Sequence, residues 1–308
     1  METIISYEGD YIMQNLKNSQ NFLVDKKLVN ELVVKSKINN TDRVIEIGPG
    51  KGTITGVLAQ YAKEVIAVEY DKALFEWLLL HHSSNNVEYV YGDILQYKLP
   101  IKGEYKVFSN IPFQITANII KKLTEAPNPP KEIFLIVQKE AAKKYCGIPF
   151  QRYEGLRAAI VKAQYGIEIV HSFRRKDFVP APNVDTVLLH FAQKNDKLSL
   201  AEYSEYKDIV SYLYSSNKGE TAKDRLALLF SNMQVKRLCK DNNISEMGSF
   251  TCITSEQWIK IYEYSKIGLT DEKRKKLRNS YIRLEKNNKG LKKQNRTSFR
   301  KPRKKYTM

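Results

Sequence analysis

The chain has 308 residues, 42% of them hydrophobic, three cysteines and a formal net charge of +17. That length suits one or two packed domains; no stretch approaches the roughly 18 unbroken apolar residues of a membrane span, and residues 1–10 lack the basic-then-apolar order of a secretory signal, so a cytoplasmic location is expected. Cys146, Cys239 and Cys252 are scattered without a Cys-x-x-Cys pair, which argues against a disulfide framework and a zinc site, and no metal is expected.

In chain order, Asn18-Ser19-Gln20-Asn21-Phe22-Leu23 leads into a helical stretch from Asp25. Asn21 is either a cap or turn residue or, with the Leu23 backbone, part of a closure over a ligand. Arg43-Val44-Ile45-Glu46-Ile47 is an apolar run that stops at Gly48-Pro49-Gly50-Lys51-Gly52, and 53–62 has helical character, so a strand, a glycine turn and a helix are predicted. Glu64 to Glu69 reads as a second buried strand ending in an acid, followed by a helix over Lys72 to His81. Val87 to Tyr91 ends at Gly92-Asp93, Tyr105 to Phe108 ends at Asn110-Ile111-Pro112-Phe113, and a helical stretch over Ile119 to Leu123 precedes a fifth strand over Ile133 to Val137. Buried strands separated by helices predict a parallel, doubly wound α/β sheet.

Tyr165 to Val170 and Thr186 to Phe191 flank a proline-rich turn and predict a closing hairpin, with the sheet finishing near Ala192. From Leu198 to Lys266 the periods become helical, as in Tyr206, Ile209, Val210 and Leu213, and a small helical domain follows. The charge is concentrated beyond it. Residues 271–308 hold 16 Lys plus Arg against 3 Asp plus Glu, a difference of +13, which leaves +4 for the rest. This segment is expected to be a disordered basic tail that meets RNA or DNA phosphates. The domain boundaries expected are 1–195, 196–270 and 271–308.

In such a sheet a ligand sits beyond the carboxyl ends of the strands, where the special residues fall. Gly48, Gly50 and Gly52 allow a tight turn and close approach to a ligand, and their spacing differs from the Gly-x-Gly-x-x-Gly of a pyrophosphate site. Glu69 can accept from both ribose hydroxyls, and Asp93 from the amino group of an adenine held against Tyr70 or Ile94. An adenosine-shaped cofactor without a pyrophosphate fits this set, with S-adenosylmethionine the candidate. In Asn110-Ile111-Pro112-Phe113 the Asn110 side chain and the Ile111 carbonyl can accept both N–H bonds of an exocyclic amine, Pro112 turns the chain, and Phe113 offers a flat face for a base. Phe178, in the rigid segment Phe178-Val179-Pro180-Ala181-Pro182-Asn183-Val184-Asp185, either packs on a base opposite Phe113 or fills core.

The combination Gln20-Asn21-Phe22-Leu23, Glu46-Ile47-Gly48-Pro49-Gly50-Lys51-Gly52, Glu69, Gly92-Asp93, Asn110-Ile111-Pro112-Phe113 and Phe178-x-Pro-x-Pro-x-Val-Asp-Thr186 resembles the rRNA adenine N6-dimethyltransferases. Within them it looks most like the Erm enzymes, which methylate 23S rRNA and give resistance to macrolide, lincosamide and streptogramin B antibiotics. The resemblance spans about residues 14 to 192, with Ser255-Glu256-Gln257-Trp258 as a looser match, and not the basic tail. It implies a Rossmann-like, doubly wound mixed sheet of the class I methyltransferase kind, acting as a monomer on 23S rRNA. It also implies that Asn21, Leu23, Gly48, Glu69, Asp93 and Asn110 line the S-adenosylmethionine site while Asn110, Phe113 and Phe178 hold the target adenine. Small-subunit rRNA dimethyltransferases usually carry Asn-Leu-Pro-Tyr at this motif, so Ile111 favours the Erm reading. Phe113 stands where Tyr is frequent, which implies stacking in place of proton transfer. The rival readings are dimethylation of small-subunit rRNA and an RNA-binding assembly factor without turnover; DNA adenine methylation is disfavoured by Ile111 where Pro is usual.

Overall fold

In the computed structural model, which describes residues 21–148 and 150–287, the apolar runs of the first two thirds of the chain are strands. Arg43–Ile47 (β2), Glu64–Glu69 (β3), Val87–Tyr91 (β4), Lys106–Asn110 (β5) and Glu132–Gln138 (β6) lie parallel to their neighbours. They follow a short first strand, Phe22–Leu23 (β1), and are separated by helices Lys26–Lys35 (α1), Thr53–Tyr61 (α2), Lys72–His81 (α3) and Thr116–Thr124 (α4). Helix Lys139–Cys146 (α5) follows β6, and Leu156–Lys162 (α6) follows α5. Tyr165–Ser172 (β7), Phe178–Val179 (β8) and Thr186–Gln193 (β9) come next, and the seven-stranded order is β4-β3-β2-β5-β6-β9-β7. β9 is antiparallel to both β6 and β7, so the predicted hairpin closes the sheet and makes it mixed.

The central strands are buried on both faces, which is why they read as unbroken Val/Ile runs and not as an alternation. β4 is an edge strand and its pattern loosens, with Tyr91 exposed. α1 and α3 start at Asp25 and Asp71, whose carboxylates each accept two backbone N–H bonds of the first turn. Phe108 and Phe134 stack 5.8 Å apart in the sheet core, and the His190 ring lies flat on Phe134 at 4.2 Å.

The chain divides into two compact units, one of residues 1–146 and 164–197, the other of 147–163 with the residues from 198 onward. Two boundaries therefore differ from those expected. Segment 147–163 belongs with the helices Leu200–Ser215 (α7), Ala222–Leu226 (α8), Asn232–Asp241 (α9) and Ser255–Gly268 (α10). Glu154, fully buried, holds it there: its carboxylate pairs with Lys162 at 3.1 Å and accepts from Ser255 Oγ at 2.5 Å and from the Ile148 N–H at 3.1 Å. The core of this unit is built on Trp258, Tyr206, Tyr262 and Leu213. The second difference is at 271, where the expected tail begins as helix Asp271–Leu277 (α11) with Leu277 buried, and 280–287 is helical too. Residues 288–308, the remainder of the expected disordered tail, and residues 1–20 lie outside the described residues.

His190 gives the sheet a pH dependence. Burial alone lowers its pKa, but hydrogen bonds to Glu132 and, at 3.1 Å, Glu168 outweigh burial and raise it. A raised histidine pKa adds stability that is complete below the unfolded value near 6.5 and disappears as pH rises through the folded one. The stability difference between wild type and His190→Gln should thus be largest at pH 5.5–6 and shrink above pH 6.5, read by urea denaturation across that range; a difference independent of pH would contradict the ion-pair account.

Candidate active site

A cavity of about 260 Å³ opens at the carboxyl ends of β2, β3 and β5. Its floor is the turn after β2, where Gly48, Gly50 and Gly52 have φ of +66°, +58° and +71°, a region closed to most side chains. At Gly50 there is a second constraint, since a Cβ would lie 2.5 Å from the Phe22 ring. The turn is tied to β3 twice: the Gly48 N–H donates to the Val68 carbonyl at 2.9 Å, and the Gly50 N–H donates to Glu69 Oε2 at 3.0 Å.

Glu69 ends β3 with 3% exposure, and its other oxygen accepts from the Asp71 N–H at 2.8 Å. Burial pushes its pKa up, while the backbone N–H groups of Asp71, Gly50 and Tyr70 pull it down. With four acceptor positions, the carboxylate keeps capacity for a ligand hydroxyl beyond these backbone donors. Behind it, Glu46 is buried in β2, and burial pushes its pKa up to about 8 against the pull of a hydrogen bond from Thr55 Oγ1 at 2.6 Å and with a further upward push from Glu69. Burial thus favours the neutral acid at Glu46, which pins α2 to β2 behind the glycine turn.

On the opposite wall, Asp93 uses Oδ1 to accept from the Leu95 N–H at 2.8 Å, which starts a short turn after β4. Ile94 and Leu95 of that turn and Tyr70 also line the cavity. Asn110, the last residue of β5, donates from Nδ2 to the Asn21 carbonyl at 2.7 Å, and this orients the amide so that Oδ1 is its acceptor end. Pro112, lacking an N–H, ends the strand, and Phe113 opens a 3-10 turn into α4 with its ring half-buried. Asn21, Gly48, Gly50, Glu69, Asp93 and Asn110 thus share one cavity with Ile111 and Phe113.

Two expected site residues are placed elsewhere. Leu23 and Phe178 are 4% and 2% exposed, belong to the same core cluster and do not line the cavity. The cause is the short antiparallel pair β1–β8, with Phe22 opposite Val179 and Leu23 opposite Phe178. Residues opposite each other share a face and neighbours alternate, so Phe22 lines the cavity while Leu23 and Phe178 turn into the core, where Phe178 meets Phe173 edge-on at 5.3 Å. Phe22 is a cavity-lining residue that the sequence reading did not single out. Its signal was the period-2 alternation beside Asn21; the Phe22 ring packs on Gly50 with Lys51 Nζ 5.8 Å from its centre.

A model of the family described as ribosomal RNA adenine dimethylase matches residues 13–266. The chain belongs to this family. A relative named rRNA adenine N-6-methyltransferase, from Bacillus anthracis, is 30% identical over 80% of this chain and 85% of its own length. A relative from Clostridioides difficile named ribosomal RNA small subunit methyltransferase A is 31% identical over 74% of this chain and 82% of its own. Among solved structures, that of the 23S rRNA methyltransferase ErmE superposes with a TM-score of 0.69 at 24% identity, covering 80% of this chain and all of that one. That of a dimethyladenosine transferase from Plasmodium falciparum gives 0.64 at 22% identity, covering 81% and 100%. At these identities the solved structures support the fold, a Rossmann-like methyltransferase sheet with a helical C-terminal region.

The enzyme is an S-adenosylmethionine-dependent rRNA (adenine-N6)-methyltransferase. The residues fit that methyl donor: a glycine floor that any Cβ would distort, a buried carboxylate already oriented by two backbone N–H groups, and an acid and two apolar side chains on the adenine side. When bound, S-adenosylmethionine supplies a methyl group made electrophilic by its sulfonium. Glu69→Ala should weaken S-adenosylmethionine binding about 10- to 100-fold, from the roughly 1.5–3 kcal/mol of hydrogen bonds to a charged group; calorimetry giving an unchanged Kd would remove Glu69 from the site.

Proposed function

We propose that the enzyme methylates the N6 amine of one adenine in 23S rRNA and so confers resistance to macrolide, lincosamide and streptogramin B antibiotics. The observation that carries this reading is Asn110-Ile111-Pro112-Phe113 at the mouth of the cavity, with the Asn110 amide clamped by the Asn21 carbonyl. An adenine N6 lone pair is delocalised into the ring, so the amine must be held where that pair can reach an electrophile. Asn110 Oδ1, fixed from behind, serves as one acceptor for the amine's N–H bonds. Asn110 carries no titratable proton, so its contribution is orientation and electrostatics in place of acid–base catalysis. Ile111, in the position where small-subunit enzymes usually carry Leu, supports the large-subunit assignment. An rRNA substrate implies action in the cytoplasm.

The target base must leave its stack, at a cost of roughly a few kcal/mol. Stacking on one aromatic ring returns about 1–3 kcal/mol. With Phe178 in the core, Phe113 is the ring of the motif that remains at the cavity, so it offsets only part of the cost and the balance falls to contacts with the rest of the RNA. Lys121 and Lys122 on α4 and Arg174, Arg175 and Lys176 before β8 are suited to phosphate contacts, and Arg174 is partly engaged by Asp177.

Primer extension on rRNA from cells expressing the protein should stop at one adenine beside the peptidyl-transferase centre of 23S rRNA, with raised erythromycin tolerance. A stop confined to 16S rRNA would replace this reading with the small-subunit one, and no methylation of either with intact S-adenosylmethionine binding would indicate an assembly factor. Phe113→Ala should lower kcat/KM for RNA about 10- to 100-fold with the Kd for S-adenosylmethionine nearly unchanged; equal loss of both would make Phe113 a structural residue.

A further inference from the structure

The family match ends at residue 266, yet the fold continues to 287. Thr270 caps α11, its hydroxyl accepting from the Lys273 N–H at 3.4 Å, and Leu277 buries the inner face of that helix. The chain then reverses at Asn279, whose φ of +63° is a left-handed turn conformation that Asn tolerates better than most residues. The next helix, like any other, has first-turn N–H groups that need a cap. Asp208, on α7, supplies one: its two carboxylate oxygens accept from the Asn279 N–H at 2.8 Å and the Tyr281 N–H at 2.9 Å. A carboxylate is well placed there, at the positive end of a helix.

The seven basic side chains of this appendage divide into two sets. Lys273 donates to the Leu229 carbonyl at 2.7 Å, Arg274 to that of Ser265 at 3.0 Å, and Arg283 folds back on the carbonyls of Arg278 and Lys276 at 2.7 and 3.2 Å. These three fasten the two helices. Lys275, Arg278 and Lys286 are exposed and make no ion pair with any described residue. Lys276 is exposed above the Tyr212 ring at 5.9 Å. The sequence that follows, 288–308, adds nine Lys plus Arg and no Asp or Glu.

We propose that residues 271–287 form a docked phosphate-binding surface for the rRNA substrate, with Lys275, Arg278 and Lys286 as its contacts and Asp208 as the positioning residue that fixes them. Uncompensated charge held on an ordered scaffold gives up less conformational freedom on binding than the same charge on a free chain. The substrate of this enzyme is itself a dense phosphate polymer, which favours RNA over an acidic protein or an anionic membrane. The inference rests on the rRNA substrate of the family and not on the choice between ribosomal subunits, so it can fail while the 23S assignment stands.

Binding of the full-length enzyme to deproteinised bulk rRNA, which contains both subunits' RNAs, is measured as a function of salt. The triple variant Lys275→Ala/Arg278→Ala/Lys286→Ala should lower the slope of log K against log salt by about 2–3 and weaken binding roughly 10- to 100-fold at 0.15 M salt. The S-adenosylmethionine Kd and the kcat at saturating RNA should be unchanged. Asp208→Ala, which leaves every basic residue in place, should speed amide hydrogen exchange at Asn279 and Tyr281 and reduce the salt slope in the same direction by a smaller amount. A salt slope equal to wild type in the triple variant overturns the proposal, as does a loss confined to binding of phosphatidylglycerol vesicles. Faster exchange in Asp208→Ala with an unchanged slope would leave Asp208 a purely structural cap and overturn its positioning role.

Discussion

The geometry of the site depends on one carboxylate. Glu69 Oε2 accepts the Gly50 N–H and Oε1 accepts the Asp71 N–H, so a single side chain fixes the turn after β2, the end of β3 and the start of α3. Three left-handed glycines at every second position, 48, 50 and 52, would be a loose hinge by themselves, because glycine has the most conformational freedom to lose. Tied to Glu69, and to the Val68 carbonyl through Gly48, the turn becomes a rigid floor before any cofactor arrives. Behind it, burial first and the Glu69 charge second favour the neutral form of Glu46. One acid thus lines the cavity, engaged by backbone donors, while its neighbour serves as a strut to Thr55.

A second constraint acts from the other side of the cavity. The two-residue ladder β1–β8 decides which aromatic rings reach the ligand, since alternation sends Phe22 to the cavity and Phe178 to the core. It also delivers the Asn21 carbonyl to Asn110, which makes the Asn110 amide an acceptor with a defined direction. Segments nearly 90 residues apart in sequence, at Asn21 and Asn110, are thereby joined at one wall of the cavity. Of the two rings expected to sandwich a base, Phe113 lines the cavity and Phe178 lies in the core.

The sheet was legible because its strands are buried on both faces and so appear as β-branched runs that end at glycine, acid or proline, as at Ile47, Glu69 and Asn110. The cavity residues were legible for the same reason: strand ends are marked in sequence, and the topology puts them together. What escaped was decided by distant partners. Phe178 carries the same local sequence whether it faces a base or the core, and only its register with Leu23 chooses. Segment 147–163 looks like a connection within the sheet domain, yet Glu154 finds Ser255, and the carbonyls of Ala159 and Ile160 find the Tyr206 and Tyr203 hydroxyls. Asp271-Glu272-Lys273-Arg274-Lys275-Lys276-Leu277 has the composition of a solvated tail, and only Leu277 and the acceptor carbonyls of Leu229 and Ser265 reveal it as a docked helix.

Asp208 illustrates how such an appendage can be kept. A short, strongly basic helix repels itself and has little apolar surface to bury, so intrinsic propensity leaves it marginal. Leu277 and the Lys273 and Arg274 bonds to backbone carbonyls supply what propensity lacks in α11, and the two N–H bonds to Asp208, with Arg283 folded onto carbonyls, do so for the helix after it. The fasteners are themselves partly basic, which lowers the number of charges left for a partner but fixes where the remaining ones stand. Cavity and charge thereby lie in different parts of the chain: strand ends build the cavity, while basic side chains left without an ion pair among the described residues stand on the appended helices, where their positions are set by partners distant in sequence.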